Sequence, residues 1–180
     1  MYDRTVLFVD DEPKMLSSIE RSLCGEPYNI ITAESARKAL RILEKKQVHV
    51  LVTDLRMPGI SGFELIQLVK NEYPYIIRMI LTGYTDIETL LTAINKGQIF
   101  RYIIKPWKSV TEFKLTIRQA IEFFDLHIER QMMMTTIEQI IEGEKPENIN
   151  FKLIQEIINR RKEHLYEWNQ MCKLIPQEIL

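Results

Sequence analysis

Apolar residues in the first two thirds of the chain form short continuous runs, separated by segments in which they recur at helical spacing. A short run rich in valine and isoleucine, bounded by turn residues, is typical of a strand buried on both faces. The runs predict five strands, at residues 5–9, 28–32, 48–53, 76–81 and 101–104.

A helical pattern follows each of these strands. Helices are predicted from Pro13 to just before Gly25, over 35–46, from Ser61 onward, over 85–96, and from about 109. Ser61 and Glu64 have the spacing of a capping box, in which each side chain satisfies a backbone N–H of the first helical turn. Regular strand–helix alternation with short loops predicts an α/β fold, a doubly wound parallel sheet covered by helices on both faces.

The pattern changes after residue 124. The fifth predicted helix continues to about 142, a polar break follows, and a second helix is predicted at about 150–173. We therefore expect one domain at 1–124 and an α-helical C-terminal extension at 125–180. The apolar residues of the extension, which include Met132, Met133 and Met134, favour an interaction element. The two helical segments either fold back on each other as a hairpin or pack in a dimer.

Composition narrows the function classes. The chain has 180 residues, 46% of them hydrophobic and 27% charged, and a formal net charge of −1. The region after Gly143 balances acidic against basic residues, so DNA binding by this chain is not expected. Two distant cysteines argue against a disulfide framework. With no apolar stretch as long as a membrane span, we expect a cytoplasmic protein.

Charged side chains follow three of the predicted strands. Asp10 and Asp11 close the first, Asp54 closes the third and Lys105 closes the fifth. In open parallel sheets ligands bind beyond the carboxyl ends of the strands. Three carboxylates crowded there repel each other unless a cation lies among them. The arrangement predicts a hard divalent metal, most plausibly Mg²⁺, and chemistry on an oxyanion such as phosphate.

A family resemblance rests on four segments taken together. They are Val9 to Pro13 (VDDEP), Thr53 to Gly62 (TDLRMPGISG), Leu81 to Gly83 (LTG), and Tyr102 to Pro106 (YIIKP). In this order and spacing they resemble the receiver domain of bacterial two-component response regulators, over residues 1–124. The resemblance implies a flavodoxin-like sheet with strand order 2-1-3-4-5.

The resemblance also implies a set of site residues. Asp54 would be the phosphoacceptor. Asp11 and Asp54 would bind Mg²⁺ (or Mn²⁺) directly, Asp10 would hold it through water, and the backbone carbonyl of Arg56 would complete the set. Lys105 would pair with Asp54 and then with a phosphoryl oxygen.

A switch is implied as well. The hydroxyl of Thr82 would bind another phosphoryl oxygen, and Tyr102 would turn inward behind it, changing the surface of the fourth predicted helix and the fifth strand. The implied function is a phosphorelay response regulator, not an enzyme beyond its own autophosphorylation and autodephosphorylation. Its partners would be a sensor histidine kinase or phosphotransfer protein, and a downstream protein or a second copy of the chain.

Several alternatives stay open. The chain also resembles receivers that are attached to DNA-binding regulators or to cyclic-dinucleotide phosphodiesterases. One alternative is therefore that it is a fragment of such a response regulator, without its output domain. A metal-dependent phosphohydrolase is disfavoured, because Arg56 stands where such an enzyme usually has a second acid two residues after its nucleophile. A receiver-like module that is never phosphorylated is disfavoured by the intact set of acids.

Overall fold

Strands and helices alternate along the chain in a computed structural model, which describes residues 4–83, 99–142, 150–152, 154–159 and 161–162. The strands are β1 (Thr5–Val9), β2 (Asn29–Ala33), β3 (Val50–Asp54), β4 (Ile77–Thr82) and β5 (Arg101–Ile104). The helices are α1 (Pro13–Ser22), α2 (Ala36–Leu43), α3 (Gly62–Glu72) and α4 (Val110–Ile141). The helix predicted at 85–96 lies outside the described residues.

The strands form one parallel sheet in the order β2-β1-β3-β4-β5. This confirms the predicted fold class, a doubly wound five-stranded parallel sheet. The bounds differ slightly from prediction: β2, β3 and β4 each end one residue later, at Ala33, Asp54 and Thr82. Helix α2 ends at Leu43, before the predicted end at residue 46.

Alternate residues of β1 face opposite layers of the core. Leu7 and Val9 belong to a buried cluster with apolar residues of α2 and α3, among them Ala39 and Leu65. Phe8 faces the other way and contacts Phe113 of α4, with ring centroids 6.3 Å apart. Side chains that alternate across a strand therefore bury both faces of the sheet.

Capping side chains fix where two of the helices begin. The Ser35 hydroxyl accepts a hydrogen bond from the backbone N–H of Lys38, so α2 begins just after it. Ser61 and Glu64 form the predicted capping box at the start of α3. This cap fixes the start of α3 immediately after the loop that follows β3.

The chain divides into two compact units, residues 1–127 and 128–180. The second contains the end of α4 and helical residues between 151 and 162. Within this unit a guanidinium nitrogen of Arg161 lies 2.5 Å from a carboxylate oxygen of Glu129, and Ile157 is buried. The ion pair joins the two segments. Several apolar side chains remain exposed there, namely Met132, Met133, Met134, Ile137, Ile140, Ile141, Phe151 and Ile158.

Candidate functional site

The sheet register brings the charged strand ends together. Val9 of β1 pairs with Thr53 of β3, so the residues that follow them in the chain, Asp10 and Asp54, lie at the same edge. On the other side Thr82 of β4 pairs with Ile104, the residue before Lys105. The backbone N–H of Lys105 also donates to the Thr82 carbonyl, at 2.8 Å. The parallel pairing thus collects these residues at the carboxyl edge of the sheet.

Lys105 bridges the two carboxylates at this edge. Its Nζ lies 2.6 Å from Oδ2 of Asp10 and 2.7 Å from Oδ1 of Asp54. The Asp10 side chain is only 1% exposed, and those of Asp54 and Lys105 are 14% exposed. Charge pairs withdrawn from water need both Coulombic partners and hydrogen bonds. One ammonium group shared by two acids leaves the trio with a net negative charge.

Backbone groups satisfy the other carboxylate oxygens. Oδ1 of Asp10 accepts a hydrogen bond from the N–H of Glu12 at 2.9 Å. Oδ2 of Asp54 accepts one from the N–H of Arg56 at 3.2 Å. Each acid is therefore held at one oxygen by its own loop and at the other by Lys105, which fixes both carboxylates in orientation.

Burial and charge act on the pKa values of this pair in opposite directions. Burial raises the pKa of Asp54 above its ordinary value, and the hydrogen bond from Lys105 offsets part of that rise. For Lys105, burial lowers the pKa, but its contacts with Asp10 and Asp54 outweigh it and the net change is a rise. The Lys105 ammonium group is charged near neutral pH, because its pKa lies above an ordinary value that is already basic. A carboxylate of raised pKa is a better nucleophile than an ordinary one once it is ionised.

Among the described residues, no hydrogen bond joins Thr82 or Tyr102 to Asp10 or Asp54. The Thr82 side chain is buried, and its hydroxyl donates to the carbonyl of Gly83 at 3.0 Å. Tyr102 on β5 is 40% exposed. It lines an open cavity of about 440 Å³ together with Trp107, Glu112 and other residues of β5 and the start of α4.

The oxygen donors at this edge suit a hard divalent cation. Asp10 and Asp54 together carry more negative charge than Lys105 neutralises, and carboxylate and carbonyl oxygens are the ligands that Mg²⁺ prefers. Asp11, by contrast, is exposed. Within the described part of the chain, no three His, Cys, Asp or Glu side chains form a group at metal-binding spacing. The donor chemistry therefore fits Mg²⁺, although the expected cluster of three acids is not assembled.

Two further residues support Asp54 and were not singled out from the sequence. The hydroxyl of Thr53 donates to the Asp54 carbonyl at 3.0 Å. A Cβ atom placed on Gly62 would lie 1.7 Å from that same carbonyl oxygen. In the sequence, Thr53 stands out as a hydroxyl at the end of an apolar strand, and Gly62 as a glycine at the first helical position. Neither feature shows that the residue contacts Asp54.

Taken together, the sheet order and the acidic edge define a flavodoxin-like α/β domain with a lysine-bridged carboxylate site. Comparison with known families then places the chain more closely. Residues 6–117 match the family model of the response regulator receiver domain, and the chain belongs to that family. The resemblance inferred from the four sequence segments is thereby confirmed.

Relatives and solved structures agree with this assignment. The hydrogenase transcriptional regulatory protein HoxA of Cupriavidus necator is 39% identical over 119 residues, which cover 66% of this chain and 24% of HoxA. The signal receiver domain of an HD domain-containing protein from Pseudomonas fluorescens Pf-5 has a TM-score of 0.65 at 32% identity, covering 68% of this chain and 98% of that one. A structure described as adenylate cyclase from Rhodopirellula baltica has a TM-score of 0.69 at 31% identity, covering 74% and 98%.

The chain spans about a quarter of the length of the curated relatives it matches. The similarity therefore concerns one portion of those relatives. No helix in the described ranges combines the length and the apolar character that crossing a membrane requires.

Proposed function

We propose that this receiver accepts a phosphoryl group on Asp54, supplied by a phosphohistidine of a sensor histidine kinase or phosphotransfer protein. The observation that carries the proposal is the contact between Asp54 and Lys105, with Asp10 on the same ammonium group. It sets an oriented carboxylate beside a fixed cation at the edge of the sheet. Phosphoryl transfer depends on such positioning and on neutralising the transferred oxygens.

In the proposed step, an Asp54 carboxylate oxygen attacks phosphorus. The O–P bond forms as the N–P bond of the phosphohistidine breaks, and the imidazole leaves with the bonding electron pair. Lys105 exchanges part of its contact with the acids for a phosphoryl oxygen. The N–H of Arg56 keeps the other oxygen of Asp54 in place, so that the nucleophile keeps its direction.

Asp10, Asp11, Asp54 and the backbone carbonyl of Arg56 are the groups that we propose hold Mg²⁺ (or Mn²⁺). When bound, the cation would supply positive charge to the phosphoryl oxygens beyond what Lys105 provides. Asp10 is buried and already oriented by the N–H of Glu12, so it is the fixed member of this set.

We further propose that Thr82 and Tyr102 transmit the event. The Thr82 hydroxyl would leave the Gly83 carbonyl for a phosphoryl oxygen, and Tyr102 would turn inward from its exposed position. This would change the cavity that Tyr102 lines, and with it the binding of a downstream protein or of a second copy of this chain. The predicted helix at 85–96, the other part of that face, lies outside the described residues.

In this proposal the domain transmits a signal, and its only chemistry is its own autophosphorylation and autodephosphorylation. We place it in the cytoplasm. An exposed free thiol at Cys24, which a reducing compartment would preserve, supports that location.

The test is intact mass after incubation with acetyl phosphate and Mg²⁺. The wild-type chain should gain one phosphoryl group, whereas Asp54→Asn should gain none. Asp125→Asn makes the same chemical change at an ion pair with Arg4, before the opposite end of β1, and should still be phosphorylated. A gain that survives in Asp54→Asn, or no gain in the folded wild type, would overturn the assignment of Asp54. Size-exclusion chromatography of the same samples tests whether assembly changes.

A further inference from the structure

A buried hydroxyl lies next to Asp54 and has no part in the proposed chemistry. Thr53 is 0% exposed, and its Oγ1 donates to the Asp54 carbonyl at 3.0 Å. The preceding residues of β3 are Val50, Leu51 and Val52, all apolar. Thr53 is thus the one uncharged polar side chain of this strand.

Packing alone does not explain a threonine here. Its partners in the sheet register are Val9 on β1 and Ile80 on β4, both apolar. Valine has nearly the same shape and would not bury a hydroxyl, which is destabilising when it lacks a hydrogen-bond partner. The hydroxyl can be buried because it bonds the Asp54 carbonyl. We therefore ask what this hydrogen bond does for Asp54.

The start of α3 approaches the same carbonyl closely. A Cβ built on Gly62 would lie 1.7 Å from the Asp54 oxygen and 3.0 Å from Oγ1 of Thr53. The N–H of Gly62 in turn donates to the Leu55 carbonyl at 3.1 Å. The carbonyl of Asp54 therefore bonds the Thr53 hydroxyl and also lies against the first residue of the helix.

The orientation of this peptide unit reaches the nucleophile through the chain. Rotation of the Asp54–Leu55 peptide would displace the following N–H of Arg56, which bonds Oδ2 of Asp54. The other carboxylate oxygen, Oδ1, lies 2.7 Å from Nζ of Lys105, so a displaced carboxylate would lose this contact as well. A shift of the backbone at Asp54 would therefore affect both contacts of the carboxylate.

We propose that Thr53 is a positioning residue for phosphoryl transfer, which acts by fixing the Asp54 carbonyl through its hydroxyl. This inference rests on the proposed function of Asp54. It predicts that the hydroxyl governs the rate of phosphorylation, while the methyl group of Thr53 serves packing.

Two substitutions separate these roles in the full chain. Thr53→Val keeps the shape and removes the hydroxyl, and Thr53→Ser keeps the hydroxyl and removes the methyl group. The first readout is the rate of phosphoryl gain from acetyl phosphate at saturating Mg²⁺. The second is the free energy of unfolding in urea. The third is the NMR signal of the Arg56 backbone amide, which reports the orientation of Asp54 without phosphorylation.

We expect Thr53→Val to slow phosphorylation about tenfold, as a small misplacement of a nucleophile does, and to shift the Arg56 signal. Thr53→Ser should keep the wild-type rate and signal despite lower stability. Wild-type rates in Thr53→Val, or losses that follow stability in both variants, would overturn the inference. If the wild type takes no phosphoryl group, the proposed function fails by itself, and an unmoved Arg56 signal in Thr53→Val would then refute the positioning role separately.

Discussion

Substitution of Gly62 by alanine is the sharpest structural test of how α3 supports Asp54. The added Cβ would lie 1.7 Å from the Asp54 carbonyl oxygen and 2.8 Å from its carbonyl carbon. Both are backbone atoms of a central strand, so no side chain can rotate away to relieve the overlap. Either β3 or the start of α3 has to move.

The expected loss of stability in Gly62→Ala depends on how firmly β3 and the start of α3 are held in place. The N–H of Gly62 bonds the Leu55 carbonyl at 3.1 Å, and Ser61 and Glu64 cap the helix there. Asp54 is paired with Leu81 in the sheet. Overpacking usually lowers the free energy of unfolding by about 1–3 kcal/mol. Because neither β3 nor the start of α3 can move easily, we expect a loss of about 4 kcal/mol. For a domain of this size that lowers Tm by on the order of 15 °C.

Urea unfolding followed by circular dichroism measures this cost, with Gly83→Ala as the matched control. Among the described residues, a Cβ on Gly83 would meet no atom within 4 Å, so that variant should lose little stability. Phosphorylation of any folded Gly62→Ala protein should also be slowed, because the carbonyl of Asp54 is displaced. A difference of less than about 1 kcal/mol between the two variants would refute the reasoning, since it would show that the helix start yields without strain.

Two further changes test the surrounding electrostatics and capping. The hydrogen bond from Arg118 lowers the pKa of Glu26 below its ordinary value of 4.5, and the contact with Lys114 lowers it further. The ionised Glu26 carboxylate therefore stabilises the fold fully above pH 4.5. That stabilisation is lost as the pH falls through the lowered pKa. Glu26→Gln should cost about 1 kcal/mol at pH 7 and flatten the fall in stability at acid pH; unfolding curves of the two proteins that stay parallel from pH 7 to acid pH would contradict this. Ser61→Ala removes the acceptor of the Glu64 N–H and should cost about 1 kcal/mol in thermal unfolding, whereas Ser61→Thr should restore most of it; an equal loss in both variants would argue against the cap.

The edge of the sheet could be predicted because the strand signal and the chemical signal coincide in the sequence. An apolar run marks a buried strand, and the charged residue after it marks the end that faces a ligand. The predicted ends of β3 and β4 nevertheless fall one residue short of the observed ends. Apolar patterning stops where the side chains become polar, but ladder pairing continues through Asp54, opposite Leu81, and through Thr82, opposite Ile104.

The supports of the site could not be predicted in this way. The overlap between a Gly62 side chain and the Asp54 carbonyl depends on how closely a helix approaches a strand, and residue spacing does not encode that distance. Likewise, Glu26 is bound by Arg118, 92 residues away. Asp10 is the acid that shares Lys105 with Asp54, whereas the adjacent Asp11 is exposed, a distinction that the pair of aspartates does not reveal in the sequence.

The hydrogen bonds around Thr82 explain why the proposed switch would need little energy. Its carbonyl accepts from the N–H of Lys105 and keeps β4 joined to β5, while its hydroxyl is engaged separately with Gly83. Moving the hydroxyl to a phosphoryl oxygen therefore leaves the strand pairing intact. The exchange trades a bond between neutral groups for one to an anion, and charge-assisted bonds are roughly twice as strong. The free energy gained from the new hydrogen bond can therefore drive the inward turn of Tyr102. Phosphorylation would then change the surface around Tyr102 without disrupting the sheet.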